Sequence, residues 1–275
     1  MPTNYYLDSN ILFNCDLLTS IRHESEKSSL HFHNRVEIII VEKGSCEFII
    51  SKNEYHATEG QAIFICPFQI HAFNVGKSSS VRQIILDDAL ILTTLNILEG
   101  RVPTHPIFNV DPSVLKLTLE KLSEFFGKSS GPIKRITPLS TRISVKGMLY
   151  MLCGELLSQT SLSESKKPND LAIEIIEYIS KNFRKDISLH DIAKQRGYNY
   201  QYISRTFNRT MNIPFKKVLN QYRMQYAYYA LQDTNLPIST VCFESGFQSI
   251  RSFNDACIEI FGMTPKELRR TRTRY

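Results

Sequence analysis

The sequence predicts an α+β protein of two domains: an N-terminal antiparallel β-barrel with a helical hairpin, then an all-α domain with two helix-turn-helix motifs joined by a long helix. Three observations support this fold class. Short β-branched runs separated by turn residues fill residues 30–86, apolar residues at helical spacing follow them, and a segment of about fifty residues occurs twice after residue 187. A length of 275 residues suits two domains.

The first domain, residues 1–110, is predicted from alternating strands and turns. Val36–Val41 is a β-branched run, Gly44 ends it, and further runs follow until Pro67 interrupts the pattern. Short strands at spacings of about 8–12 residues indicate an antiparallel sandwich or barrel.

Two helices are predicted over residues 111–160. The first begins at Asp111 and carries apolar residues at helical spacing as far as Gly127, and the second runs from Ser140 to Gln159. They could form a dimerisation hairpin or could only cover the core of the barrel. The polar, Ser-rich residues 161–169 are predicted to be a linker, and Asp170 is predicted to cap the first helix of the second domain.

The second domain, residues 170–275, contains the repeat. Ile192-Ala193 recurs 49 positions later as Val241-Cys242, and Gly197-Tyr198 recurs at the same offset as Gly246-Phe247. Each copy predicts a helix-turn-helix, over about residues 188–210 and 238–261. The glycines suit a tight turn because only glycine adopts a positive φ without steric strain from a Cβ atom.

Caps and buried pairs support the same assignment. Ser188 and Ser239 are predicted to cap the first helix of each motif, and Asn199 and Ser249 the second. Pairs of apolar residues four positions apart would face the small core of each motif, namely Ile203 with Phe207 and Phe253 with Cys257.

The opposite face of each second helix would be exposed. It carries Tyr200, Gln201, Ser204, Arg205 and Asn208 in the first motif, and Ile250, Arg251, Asn254 and Asp255 in the second. Gln, Arg and Asn side chains in the first turns of a helix can read base edges in a major groove. A helical hairpin with a solvated face is the alternative, and the recurrence of the motif disfavours it.

The spacing between the motifs and the charge of the domain fit DNA. The segment Pro214–Gln232 is predicted to be one helix of 19 residues, or roughly 28 Å, whereas one turn of DNA spans about 34 Å. Residues 1–169 contain 17 basic and 17 acidic residues, and residues 170–275 contain 16 and 10, so the net charge of +6 lies in the second domain. A positive domain suits a phosphate backbone.

Four residues of the first domain could carry chemistry. His31 and His33 alternate along a strand and should share one face, and Glu37 and His71 follow them. Three imidazoles and a carboxylate could hold a divalent transition metal, line a pocket, or make structural contacts alone. We assign the four to an effector pocket, with no metal, no cofactor and no catalytic residue.

The second domain resembles the AraC/XylS family of bacterial transcription regulators. The matching residues are Leu189, Ile192-Ala193, Gly197-Tyr198, Ile203-Ser204-Arg205, Phe207, Arg223-Met224, Ala227, Leu231, Ile238, Gly246-Phe247, Ser252-Phe253, Phe261-Gly262 and Thr264-Pro265. In that family, the two motifs of one chain enter successive segments of the major groove. Asp255 and Cys257 depart from the family pattern, which has a basic residue and Phe there, so the second motif is expected to bind or pack less well.

The His/Glu spacing of the first domain resembles the cupin barrel, although Gln69 replaces the usual Gly and the spacing to His71 is one residue shorter. Sensor domains of AraC-type regulators resemble cupins and often carry this pattern without a metal. The two resemblances together imply a regulator, in tendency an activator, that binds promoter DNA, contacts RNA polymerase, responds to a small-molecule effector in its barrel and forms a homodimer.

Other features of the chain limit the alternatives. Six cysteines without CxxC spacing suggest reduced thiols rather than a zinc site or a disulfide framework, and no stretch resembles a signal peptide or a membrane span. We therefore expect a cytoplasmic protein with no membrane partner. Two other functions stay open: a metal-dependent cupin enzyme fused to a DNA-binding or interaction module, and a pure protein-interaction module.

Overall fold

The computed structural model of the chain describes residues 6–7, 18–87, 90–98, 100–126, 131–133, 139–164, 171–211 and 213–271. The described residues up to 164 form one compact unit, and those from 171 form a second. Most of the predicted linker, residues 165–169, and the predicted cap Asp170 lie outside the described residues.

The first unit is built mainly of strands. They are β1 Tyr6–Leu7, β2 Leu18–Glu24, β3 His31–Phe32, β4 Val36–Lys43, β5 Ser45–Ile50, β6 Asn53–Thr58, β7 Gln61–Ile65, β8 His71–Val75, β9 Ser80–Leu86, β10 Arg101–Pro103, β11 Ile107–Asn109, β12 Gly131–Ile133 and β13 Leu162–Glu164. Its helices are α1 Leu92–Leu98, α2 Pro112–Phe126 and α3 Leu139–Gln159.

These strands pair in two sheets. One has the order β1-β3-β8-β5-β6 and the other β11-β7-β4-β9-β2-β12, and β10 pairs with β13 alone. The pairing is antiparallel except between β1 and β3. The predicted antiparallel β domain is confirmed, but the barrel is not closed, because no strand pair among the described residues joins the two sheets. Closure depends on pairing between distant strands, which local alternation does not encode.

Strand β4 is buried on both faces and shows where the core lies. Ile38 and Ile40 pack in a cluster that includes Leu149 and Leu152 of α3, whereas Ile39 and Val41 pack in a second cluster drawn from both sheets. Glu37 therefore lies on the same face of β4 as Ile39, toward the other sheet, because side chains two positions apart share a face.

The structure contains the predicted helices of this unit as α2 and α3. Helix α3 covers the six-stranded sheet, while Ile143 on it remains 62% exposed. Leu162–Glu164, at the start of the predicted linker, instead form a strand paired with Arg101–Pro103. Their polar sequence gave no strand pattern, and the pairing rests on backbone hydrogen bonds.

The second unit is entirely helical in its described residues. Its helices are α4 Leu171–Asn182, α5 Leu189–Arg196, α6 Tyr200–Met211, α7 Phe215–Asp233, α8 Ile238–Glu244, α9 Ile250–Phe261 and α10 Pro265–Arg270. The two helix-turn-helix motifs are α5–α6 and α8–α9, and the single helix α7 joins them. Among the described residues, no helix has the length and apolar character needed to cross a membrane.

Local chemistry at the helix ends explains these boundaries. Ser188 accepts a hydrogen bond from the Asp191 backbone N–H, Asn199 from Gln201 N–H at 2.8 Å, and Ser249 from Ser252 N–H at 3.2 Å. The prediction for Ser239 is wrong: α8 begins at Ile238 after Pro237, so Ser239 lies in its first turn. Proline fixes a φ that suits a helix start, and this moved the boundary two residues earlier.

The difference between these two serines gives a testable prediction. Ser249→Ala removes the cap of α9 and is expected to lower the free energy of unfolding by about 1 kcal/mol. Ser239→Ala is the matched control, because Ser239 is exposed and is not the cap of its helix; it should change stability by less than about 0.5 kcal/mol. Urea titration of each full-length variant measures both changes. Equal losses in the two variants would contradict the cap assignment.

Candidate functional site

The second helix of each motif exposes the predicted DNA-contacting residues. In α6, Ile203 and Phe207 are fully buried, and Tyr200, Gln201 and Arg205 are exposed on the opposite side. Ser204 is partly exposed, as is expected for a residue at the edge of the exposed face. The amino-terminal half of α6 thus presents polar side chains to solvent over a buried apolar face.

Helix α9 repeats this arrangement with a different set of side chains. Phe253 and Cys257 are fully buried, whereas Ile250 and Arg251 are exposed and Asn254 is partly exposed. Asp255 is also exposed, so it adds a negative charge to this face. The face of α9 is therefore less basic and more apolar than the face of α6.

The cysteine at position 257 is accommodated inside the core of the second motif. Its side chain has no exposed surface, and burial raises the pKa of the thiol to about 12, helped by the charge of Glu267. Phe247 packs edge-on against Phe253 at 5.3 Å between ring centroids in the same cluster. The five described cysteines of the chain are all buried and free.

A turn between α4 and α5, residues 183–186, is bound to the second motif and to α7. Arg223 of α7 is buried and donates from Nε to the Phe183 carbonyl at 2.8 Å and from Nη2 to the Lys185 carbonyl at 3.0 Å. Arg184 donates from Nε to the Glu244 carbonyl at 2.7 Å. We call residues 183–186 the bridging turn, because it connects the first motif to the second.

The roles of two residues in this contact were missed from the sequence. Arg223 was noted only as a residue that matches the family pattern, and no role was assigned to it. A basic residue among the apolar residues of a buried helix face nevertheless indicates that its side chain binds a buried acceptor. Gly246 was predicted only to allow a positive φ, and its φ is +90°. A Cβ there would also lie 2.6 Å from the carbonyl oxygen of Phe183, so the backbone of the bridging turn requires a glycine.

The structure brings the four predicted pocket residues of the first unit together. His31, His33, Glu37 and His71 are all buried, and one potential ligand atom of each lies within 4.8 Å of the others. The ring centroids of His31 and His71 are 4.2 Å apart, and those of His33 and His71 are 5.0 Å apart. We call these four residues the His/Glu cluster.

Glu37 lies at the centre of this cluster. Its Oε2 is 2.9 Å from His33 Nε2 and 3.4 Å from His71 Nε2, and its Oε1 accepts a hydrogen bond from Gln83 Nε2 at 3.0 Å. Burial alone would raise the pKa of Glu37, but the charge of His71 and hydrogen bonds from both histidines hold it well below its usual value. Burial and neighbouring His71 lower the pKa of His31 to about 4, so this ring is neutral at pH 7.

A groove of about 350 Å³ lies elsewhere in the same unit. It is lined by Lys27, Glu47, Phe48, Ile49, Glu54, Tyr55, His56, Ala72, Phe73 and Asn74. These residues lie mainly on β5, β6 and β8, and the lining does not include the His/Glu cluster.

Two family profiles match the chain. One, described as an AraC-like ligand binding domain, matches residues 16–176, and the other, described as a helix-turn-helix domain, matches residues 192–271. The first of these covers more than half of the chain.

Similar proteins have been described in several bacteria. The Msm operon regulatory protein of Streptococcus mutans is 25% identical over 140 residues, which are 49% of this chain and 50% of that protein. The HTH-type transcriptional activator RhaS of Klebsiella pneumoniae is 20% identical over 251 residues, 88% of this chain and 87% of that protein. Among solved structures, ToxT from Vibrio cholerae O395 covers 94% of this chain and 98% of its own, at 14% identity and a TM-score of 0.39.

Two helix-turn-helix motifs, each with a buried apolar pair and a side-chain cap on its second helix, thus follow a β domain that matches a ligand-binding profile. The chain belongs to the AraC family of DNA-binding transcription regulators.

Proposed function

We propose that the protein binds promoter DNA through both helix-turn-helix motifs and activates transcription in response to a small-molecule effector in its first unit. The observation that carries this proposal is the exposure of polar residues at the start of α6 and α9, within one unit that holds the excess positive charge. The similar proteins are named as regulators, and one is named an activator, which supports regulation over catalysis. On this proposal the chain acts in the cytoplasm and has no enzymatic activity.

Each recognition helix is assigned its own set of contacts. Tyr200, Gln201, Ser204 and Arg205 of α6 would contact one major-groove segment. Ile250, Arg251 and Asn254 of α9 would contact the next segment. Arg and Gln can form paired hydrogen bonds with guanine and adenine, and the exposed Ile250 suits the methyl group of thymine.

Effector binding would involve the interior of the first unit. The His/Glu cluster supplies buried polar groups among apolar residues, which is typical of small-molecule sites. An effector can shift the protein toward a DNA-binding state only if it binds that state more tightly.

We also propose that the chain works as a homodimer through α2 and α3 and contacts RNA polymerase at the promoter. Ile143 of α3 and Leu117 of α2 are exposed, which supports an apolar contact between chains. Linking two DNA-binding units raises affinity without new contacts. Sedimentation equilibrium of the full chain measures the dimer directly, and a monomer at all concentrations would refute it.

Sequencing the genomic fragments that the purified chain retains at physiological salt tests the main proposal. We expect a few promoters that share two half-sites about one helical turn apart. Retention should fall steeply with salt, because binding through several phosphates releases counterions. Random fragments, both with and without extracts of effector-containing cells, would contradict sequence-specific binding.

Arg205→Ala should weaken binding to the selected operator by about 5- to 150-fold, which corresponds to about 1–3 kcal/mol for one base-reading arginine. Arg209→Ala is the control: it removes the same charge from the same side of α6, one turn farther from its amino terminus. This control should weaken binding to operator and random DNA by similar factors. Fluorescence anisotropy with both DNAs measures the two ratios. An Arg205→Ala variant that keeps the full preference for the operator would remove Arg205 from the base contacts.

A further inference from the structure

The His/Glu cluster has the arrangement of a metal-binding site. Its residues come from both sheets, since His31 and His71 lie on β3 and β8 of one sheet and Glu37 lies on β4 of the other. His33 follows β3 directly, and all four side chains are buried. Four potential ligands, three from separate strands and one from the residue after β3, thus converge where the two sheets face each other.

The orientation of the imidazole rings points to a positive charge at their centre. Nδ1 of His31 lies 2.8 Å from the Ser29 carbonyl oxygen, and Nδ1 of His71 lies 2.8 Å from the Gln69 carbonyl oxygen. A ring nitrogen beside a carbonyl oxygen carries the hydrogen and donates it. In each neutral ring, Nε2 therefore keeps its lone pair.

His33 can adopt the same orientation. Its Nδ1 lies 3.1 Å from the Arg35 carbonyl oxygen and 3.3 Å from the Arg35 backbone nitrogen, so the ring can donate to the first or accept from the second. Its Nε2 lies 2.9 Å from Glu37 Oε2. When Nδ1 donates, three Nε2 lone pairs and one carboxylate surround the same point. Such an arrangement needs positive charge at its centre, either a metal ion or protons that the imidazoles donate to Glu37.

The surrounding hydrogen bonds hold the ligands in this orientation. Metal-binding histidines in proteins almost always donate their second N–H to a carbonyl or carboxylate oxygen, as His31 and His71 do here. Gln83 donates to Glu37 Oε1, and the other oxygen of the carboxylate is left directed toward the histidines. The Gln83 amide is itself oriented by His23, whose Nε2 lies 2.9 Å from Gln83 Oε1.

We propose that the cluster of His31, His33, Glu37 and His71 binds one divalent transition-metal ion through three imidazole nitrogens and one carboxylate oxygen. Three nitrogen ligands favour zinc, cobalt, nickel, copper or iron(II) over magnesium and calcium, which take oxygen ligands. The ion would connect the two sheets of the first unit. A role of this ion as a signal for transcription rests on the proposed function, but the binding of the ion does not.

Cobalt(II) titration of the full chain, prepared without a histidine tag and stripped with a chelator, tests this site. We expect about one cobalt ion per chain, with visible absorption bands from the ion, and a rise of about 5 °C or more in the melting temperature of the first unit. Glu37→Gln preserves shape but removes the charge, and it should weaken binding at least about tenfold. The double variant His31→Gln/His71→Gln should lose the absorption bands.

The matched control is His56→Ala, since His56 is exposed on β6 of the same unit and lies outside the cluster. It should bind cobalt as the unchanged chain does. A folded chain that retains less than about 0.1 ion would overturn the proposal and leave a protonated histidine–carboxylate network. Equal binding by the double variant would overturn it as well, because the ion would then lie elsewhere. Operator binding measured on the same samples separates this result from a failure of the proposed DNA-binding function.

Discussion

Gly246→Ala is expected to lower the free energy of unfolding of the helix-turn-helix unit by about 2–5 kcal/mol. Part of the loss is conformational, because a residue with a Cβ at a φ of +90° is strained. The larger part is steric, because the new Cβ would lie 2.6 Å from the Phe183 carbonyl oxygen and 2.8 Å from Arg184 Cα. Both contacts are with backbone, which cannot move aside by a change of rotamer.

Gly197→Ala separates the two contributions. Gly197 occupies the equivalent turn of the first motif with a φ of +72°, but a Cβ there would meet no atom within 4 Å. This variant should lose only about 1–2 kcal/mol, from conformational strain alone. Urea unfolding of the full chains, with hydrogen exchange of α7 and α9 to identify the transition of this unit, measures both. Equal losses in both variants would show that the bridging turn does not press against the second motif.

Arg223→Met should lower the free energy of unfolding of the same unit by about 2–4 kcal/mol. Methionine has a similar length and fills much of the same space, so the loss comes mainly from the two hydrogen bonds to the Phe183 and Lys185 carbonyls. The guanidinium also lies 5.7 Å from the centre of the Phe247 ring, and this contact with a cation would disappear.

Arg223→Lys is the informative companion. It retains the charge but has one amino group in place of the planar fork, so it cannot reproduce both hydrogen bonds in the same geometry. We expect it to lose about half as much stability as the methionine variant. Thermal and urea unfolding measure the series, and a methionine variant as stable as the unchanged chain would mean that the hydrogen bonds contribute nothing net.

The repeat made most of the second unit predictable. Each motif has local chemistry that determines its boundaries: caps at Ser188, Asn199 and Ser249, and glycines with positive φ in both turns. Ser239 was assigned wrongly because two residues that favour a helix start, Pro237 and Ser239, lie within three positions of each other. The helix begins directly after Pro237. The contacts of Arg223 could not be predicted from the sequence, because the carbonyl groups that it binds lie about forty residues earlier. Every residue type has a backbone carbonyl, so the sequence does not show which ones accept these hydrogen bonds.

The first unit was predicted less completely. Alternating apolar residues located its strands but did not show that they pair in two sheets, because the pairing joins segments far apart in the chain. The four residues of the His/Glu cluster were chosen from their spacing, and the structure places them together. The carbonyl partners of the histidines and the contact from Gln83 depend on loop geometry and were not predicted.

The bridging turn has a consequence for the kinetics of operator search. Because it ties the first motif to α7 and to the second motif, we expect the two recognition helices to keep a fixed orientation relative to each other. Once α6 occupies its half-site, the effective concentration of α9 at the neighbouring half-site is therefore high if the spacing of the two half-sites matches that of the two helices. If the spacing does not match, this effective concentration is almost zero. Inserting one base pair between the two half-sites should then raise the rate of dissociation from the operator as much as deleting one whole half-site does.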